Sequence, residues 1–186
     1  MNLFKAFRDF PNEANAIGMI LSSYTSLEVD LMNCVKSVRS DLDTVLKVMY
    51  RSRGEGNRIE IADALGFQAY KEMNLGNEFK DAITAIKYCV KIRNQYAHCI
   101  WWNDYSGHLA FSNIETLAKS NQKITDLKNM NICHVDLNIL HDQLSYYEYA
   151  SDYLMWILNE GLRVRGNPNI VLPNRPSVRI APSLCS

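Results

Sequence analysis

Apolar residues recur every three or four places through most of the chain, the spacing that lays one face of a helix on a core. From Pro11, whose fixed φ suits a first helical turn, Ile17, Ile20, Leu21, Tyr24, Leu27, Leu31, Cys34, Val35 and Val38 trace a single stripe. This predicts a helix of about seven turns. Glu28 falls inside the stripe, and a carboxylate facing a core needs a partner, because burying it alone is costly. Its structural options are a buried tyrosine or solvent at the edge of the seam. Its functional options are Arg93 or His98.

Ser40 or Asp41 caps a shorter helix with Leu42, Val45, Leu46, Val48 and Met49 as its apolar set. The loop from Arg51 to Gly56 ends it; neither G-x-G-x-x-G nor a lysine–serine pair follows, so its glycines read as punctuation. Asn57 to Met73 reads as a third helix, weakened by Gly66. After Gly76 a central helix carries Phe79, Ala82, Ile83, Ile86, Val90, Arg93 and Ala97 along one seam, which puts Arg93 at a core position. A last helix, capped by Asp136, holds Leu137, Leu140, Leu144, Tyr147, Ser151, Leu154 and Leu158 at alternating spacings of three and four. Between these two helices the runs His108–Phe111 and Asn131–Val135 fit a small antiparallel ribbon, with a helical turn over 114–121. The ribbon carries too little core to stand alone and would decorate one end of a helical bundle. From Asn167 onward Pro168, Pro173, Pro176 and Pro182 exclude helix. The expected fold is all-α: a bundle of four to five main helices in one domain, residues 1–166, followed by an extended C-terminal tail, residues 167–186.

Composition narrows the functional classes. With 186 residues, 47% hydrophobic and 22% charged, the chain is long enough to bury one core. No apolar run approaches the ~20 residues that spanning a bilayer requires, which predicts a soluble protein without a membrane partner. Met1 to Phe10 carries Lys5, Arg8 and Asp9 and lacks a secretory cleavage pattern. Five cysteines, an odd number without C-x-x-C spacing, argue against a disulfide scaffold or structural zinc and for a reducing cytoplasm. No pair of histidines or cysteines shows the short spacing of metal ligands, so no metal or other cofactor is expected. Twenty basic and twenty acidic residues cancel, leaving no global field to gather nucleic acid. RNA contact must be local, at clusters such as Lys87, Lys91 and Arg93.

The chemistry concentrates at Ile92–Trp102. Arg93 offers a planar fork matched to a phosphate, Asn94 an orienting amide, and His98 the side-chain type suited to proton transfer. That set suffices for phosphodiester chemistry without a metal; equally, it can tie down a helix end. On a continuous helix Asn94 and His98, four apart, share nearly one face. Arg93 and His98, five apart, stand about 140° round the axis and ~7.5 Å along it, so one chain does not automatically aim both at one target. Cys99, about 100° round from His98, fits a small core residue better than a nucleophile.

Arg93-Asn94 followed at a distance of four by His98 reads R-N-x-x-x-H, and at the end of a helix in a small helical chain it resembles the HEPN superfamily of ribonucleases and nucleotide-binding proteins. The resemblance covers roughly Pro11–Trp102 and Leu137–Arg165. It implies a helical bundle that dimerises with motif helices facing across a cleft, and a metal-independent endoribonuclease serving bacterial defence, a toxin–antitoxin pair or a stress response, with RNA as substrate and an antitoxin or other protein as partner. It further implies that Arg93 stabilises charge on the scissile phosphate, Asn94 orients it, and His98 acts as general base or acid while the RNA 2′-hydroxyl attacks. Glu28 is an accessory candidate that no motif fixes. Some family members in toxin–antitoxin pairs carry, two places after the histidine, a tyrosine that a partner enzyme modifies; Ile100 stands there, so that regulation is not expected. The competing class is a non-catalytic helical module that binds a nucleotide or a protein partner and uses Arg93, Asn94 and His98 only to hold the helix end and the dimer.

Overall fold

A computed structural model of the chain describes residues 3–119, 130–167 and 169–185. Among these the protein is mostly helical, with a small antiparallel sheet. The order is α1 (Leu3–Asp9), α2 (Pro11–Arg39), α3 (Leu42–Arg51), α4 (Glu55–Glu72), α5 (Gly76–Ala97), β1 (Cys99–Asn103), β2 (Leu109–Asn113), α6 (Ile114–Lys119), β3 (Cys133–Val135) and α7 (Leu137–Val164). Packing sorts the described residues into two compact units: one within Met1–Ser22, Lys91–Ser145 and Pro182–Ser186, the other within Ser23–Val90 and Tyr146–Ala181.

The second unit is helical, and its core follows the stripes. Tyr24, Leu27, Leu31, Cys34 and Val35 of α2 are buried, as are Phe79, Ala82 and Ile86 of α5 and Leu154 and Ile157 of α7. Polar bonds lock these helices in register. The Tyr70 hydroxyl donates to the Cys34 carbonyl at 3.1 Å, the Cys34 thiol donates to the Leu154 carbonyl at 3.3 Å, and Tyr147 donates to the Cys89 carbonyl at 2.7 Å. Burial pushes the Cys34 thiol up to about 12, so this cysteine packs and does not react. Gly66 has a packing reason: Phe79 stacks on Tyr70 with ring centroids 4.5 Å apart, and a Cβ at Gly66 would lie 2.8 Å from the Phe79 ring tip.

Among the described residues Glu28 is the one charged residue that is buried, with its side chain 6% exposed. Its partner is Arg58 of α4, one of whose terminal nitrogens donates to both carboxylate oxygens, at 2.8 and 2.9 Å. The guanidinium also lies over the Tyr50 ring at 5.1 Å. Burial, with the negative charge of Glu28 beside it, pushes the Tyr24 hydroxyl far above the ordinary tyrosine range.

Several details depart from the sequence pattern. Asp41 caps α3 as expected, accepting from the Thr44 amide at 3.1 Å. Of the apolar set read on that helix, however, only Val45 and Met49 are buried, whereas Leu42, Leu46 and Val48 are 45%, 43% and 43% exposed. A ten-residue helix buries one narrow face, and Val45 and Met49, four apart, define it. Helix α4 begins at Glu55 rather than Asn57, because Gly54, at φ +85°, reverses the chain just before it. Helix α1, absent from the expected elements, packs Phe7 on Trp101 with centroids 5.6 Å apart.

The first unit holds the sheet, in strand order β1-β2-β3, both pairings antiparallel. The expected pairing of the 108–111 and 131–135 runs is present, with Leu109 opposite Val135 and Phe111 opposite Cys133. Cys99 to Trp102, where the apolar pattern runs on from the central helix, instead form with Asn103 a third strand. Ile100, Trp101 and Trp102 are β-branched and aromatic residues that favour a pleated surface, and Trp101 lies opposite Phe111. The ribbon is therefore no mere decoration: Trp101, Phe111 and Tyr96 form a buried aromatic core with centroids 5.0 to 6.0 Å apart. Gln143, fully buried, accepts from the Tyr96 hydroxyl at 2.8 Å and donates to the Ser183 carbonyl at 2.9 Å.

The described residues past Gly166 form no regular element, in keeping with the prolines. Val171, Val178 and Ile180 are 85% exposed or more. The segment is nevertheless held in places: within the helical unit Arg175 stacks over Trp156 at 5.1 Å and reaches Glu78 at 3.6 Å. No helix among the described residues is long and apolar enough to cross a membrane.

Breaking the buried pair from one side should leave an unneutralised carboxylate. Arg58→Met should cost about 3 kcal/mol in urea unfolding, the low end for buried pairs because Arg58 is 25% exposed, and Glu28→Met in the same background should recover most of the loss. A single-variant loss below about 0.5 kcal/mol contradicts this, being the scale of ordinary surface changes. Gly66→Ala gains helix propensity but collides with Phe79, and thermal melts should show a net destabilisation of roughly 1 kcal/mol that disappears in a Phe79→Leu background.

Candidate functional site

Helix α5 stops at Ala97, and His98 is the turn residue between it and β1. A side chain on β2 fixes that stop. The Asn113 amide donates to the carbonyls of Asn94, at 2.8 Å, and Gln95, at 3.1 Å, in the last turn of α5. Those carbonyls have no partner within the helix, and such orphan groups at a helix end must be satisfied from outside. The Asn113 side-chain oxygen meanwhile accepts from the Thr116 amide at 3.0 Å and caps the short α6. The Ile114 amide then bonds the His98 carbonyl at 2.9 Å. One asparagine thus ties the end of α5, the sheet and α6 together around His98.

This corrects the helical geometry expected of the motif: because α5 has ended, four-residue spacing no longer aligns Asn94 with His98. The structure pairs Arg93 with Asn94, whose side-chain oxygen accepts from the guanidinium at 2.9 Å. Arg93 is partly buried rather than fully embedded in the core. His98 goes elsewhere. Its side chain is 50% exposed, and Nε2 lies 3.4 Å from Oε1 of Glu115, whose other oxygen is 3.6 Å from Lys119. Exposed pairs of this kind add little stability. A carboxylate beside Nε2 is placed to orient the imidazole. Glu28, engaged by Arg58, belongs to the helical unit.

A cavity of about 700 Å³ opens beside this helix end. Asn94 and Gln95 of α5, Phe111 and Asn113 of β2, Glu115, Thr116 and Lys119 of α6, and Leu184 and Cys185 line it. Asn94 and Glu115 are therefore common to the cavity and to the motif and its partners. Cys99 donates to the Gln95 carbonyl at 2.8 Å, and burial pushes its thiol up to about 12, which suits packing and not nucleophilic attack at neutral pH.

A second polar cluster lies in the β1–β2 turn. His134 Nε2 is 2.7 Å from Asp104, and the Ser106 hydroxyl donates to the other Asp104 oxygen at 2.6 Å. Because Ser106 is bonded to the aspartate and not to the histidine, the three do not form a nucleophilic relay. The Ser106 hydroxyl foremost, and then His134, hold the Asp104 carboxyl well below the usual carboxylate range. Among the described residues no group of three or more histidine, cysteine, aspartate or glutamate side chains is placed to hold a metal ion.

Fold and site together define a mostly helical protein with an arginine–asparagine pair in the last turn of α5 and an acid-paired histidine in the turn that follows. Compared with known proteins, the chain matches no family model, no curated protein and no solved structure. Glu115, Asn113 and Gln95 carry no sequence signal of their own. Each acts through partners that only folding brings near.

Asn113→Ala should remove a donor from two helix-end carbonyls, of which Gln95's keeps the Cys99 thiol, and the cap of α6, lowering stability by about 1–2 kcal/mol in urea unfolding. The Asp104 carboxyl, depressed in the folded state, contributes stability above its unfolded pKa of about 4 and loses it as pH falls through and below that value. Asp104→Asn should therefore destabilise the protein at pH 6, and the difference from wild type should shrink steadily on acidification to pH 3. A pH-independent difference contradicts that assignment.

Proposed function

We propose that this chain is a metal-independent endoribonuclease of HEPN type that works as a homodimer. The observation that carries the reading is the half-exposed His98 at the end of α5, with the Glu115 carboxylate 3.4 Å from Nε2 and the Arg93–Asn94 pair in the preceding turn. In this reading His98 takes the proton of the RNA 2′-hydroxyl as its oxygen attacks phosphorus, and Glu115 holds the ring for that transfer. Arg93 stabilises the charge that gathers on the phosphate oxygens, and Asn94, bonded to the guanidinium, sets its direction. Pairing α5 with its counterpart in a second helical bundle would put two Arg93 and two His98 side chains along one cleft. The setting that suits such an enzyme is the cytoplasm of a bacterium, in defence, growth arrest or stress response, restrained by an antitoxin or similar protein.

A second reading, a non-catalytic module that binds a nucleotide, draws support from the Arg93–Asn94 bond, which satisfies the arginine in part within its own chain, and from the cavity beside it.

Purified protein should cut RNA in the presence of a chelator. His98→Ala should slow cleavage by about 10²–10⁴-fold and Arg93→Ala by about 10²–10³-fold while both variants keep the wild-type circular dichroism spectrum. Cleavage that persists unchanged in both folded variants contradicts the site, and RNA left intact by wild type shifts the assignment to the binding module.

A further inference from the structure

The C-terminal segment of the helical unit makes a contact unlike those of its core. On α7, Tyr149, Tyr153 and Trp156 lie nearly parallel, with interplanar angles of 15° and 10° and centroids 5.8 Å apart in each successive pair. Their spacing of four and then three places the rings along one face of the helix. Arg175 lies over the Trp156 ring at 5.1 Å, one of its terminal nitrogens donates to the Tyr153 hydroxyl at 3.4 Å, and the other stands 3.6 Å from Glu78. Asp81 adds negative charge nearby, and the Arg179 amide donates to the Tyr149 hydroxyl. Aromatic rings edged with carboxylates make a seat for a guanidinium.

The segment is held by that chemistry and not by burial. Val171, Val178 and Ile180 are 88%, 85% and 91% exposed, and the Arg175 side chain is itself 50% exposed. A segment fixed as part of the core would bury such side chains. Pro173 and Pro176 flank Arg175. Prolines keep a chain extended and leave it little entropy to lose on docking, which is why proline-rich segments serve as peptide ligands. The link to Arg175 is also longer than its own seat requires. Trp156 lies eight residues, ~12 Å, before the end of α7 at Val164. The ten residues from Arg165 to Asn174 span up to about 35 Å when extended. Chain length therefore does not restrict Arg175 to its own seat.

We propose that this seat takes the Arg175 segment of a second copy in place of its own, so that two chains exchange C-terminal segments. Every contact made within one chain is then remade between two, and exchange of identical elements is for that reason a low-cost route to a dimer. A second copy carries the one ligand this seat is seen to hold. Docking within a chain is favoured by a tether, whose effective concentration is of about millimolar order. Exchange therefore emerges at high concentration, or wherever a chain has lost its own seat or its own arginine. The proposal stands apart from the ribonuclease reading, since none of its residues belongs to the motif.

The test separates seat from ligand in two full-length variants. Arg175→Ala keeps the seat and lacks the guanidinium, and isotope labelling follows its Trp156 indole N–H by NMR. Glu78→Lys keeps the arginine and repels it from its own seat. In Arg175→Ala alone the indole resonance should leave its wild-type position. Adding unlabelled Glu78→Lys to about 1 mM, the order of a tethered effective concentration, should return it more than halfway. A resonance that the donor leaves unmoved overturns the proposal, as does the same return with a donor carrying both substitutions, which brings no guanidinium. An Arg175→Ala resonance already at the wild-type position overturns it at the seat itself. Return with a synthetic Val171–Ala181 peptide but not with the full-length donor makes this a peptide site open to other proteins and overturns exchange between copies.

Discussion

Asn113 is the residue on which the candidate site depends. An α-helix that turns directly into a strand leaves carbonyls in its last turn without partners, and α5 does this at Ala97. The Asn113 amide bonds two of those carbonyls, while its oxygen caps the helix that carries Glu115. The positions of His98, Glu115 and the cavity wall follow from that one side chain, because each is anchored within a few residues of an atom it holds. The aromatic core of Tyr96, Trp101 and Phe111 supplies the rigidity behind it.

The helical unit meets a different constraint, that of charge in a core. Glu28 would be untenable alone, and Arg58 neutralises it through a doubly accepted bond under the Tyr50 ring. The pairing accounts for a buried acid without chemistry. His98 and Glu115, both about half exposed, belong to the other unit.

Much of the helical fold was legible in the chain. Spacings of three and four marked α2, α4, α5 and α7 and most of the buried residues of α2, because a long stripe has few other ways to hide, and Asp41 was legible as a cap; on α7 the stripe caught Leu140, Tyr147 and Leu154 but missed the buried Tyr146, Ala150, Tyr153 and Ile157. Strand β1 was not legible: Ile100, Trp101 and Trp102 continue an apolar pattern that fits a helix as well as a strand, and the choice is made by pairing with β2, remote in sequence. The motif residues stood out by chemical type. Their partners did not, since Glu115, Asn113 and Gln95 matter through contacts that no local pattern encodes. Glu28 showed the converse limit, as its place in the stripe announced a partner but could not name Arg58.

In the proposed ribonuclease, the helix end, the clamped turn and the acid-paired histidine are where a phosphodiester would be attacked by its own 2′-hydroxyl. The most direct measurement of that claim is the chemistry of the ends that cleavage leaves, read by mass spectrometry of RNA fragments made in chelator. Attack by the 2′-oxygen, with the 5′-oxygen as leaving group, predicts a 2′,3′-cyclic phosphate or its 3′-phosphate hydrolysis product on one fragment and a 5′-hydroxyl on the other. Fragments bearing a 3′-hydroxyl and a 5′-phosphate would contradict it, since water and not the 2′-hydroxyl would then be the nucleophile.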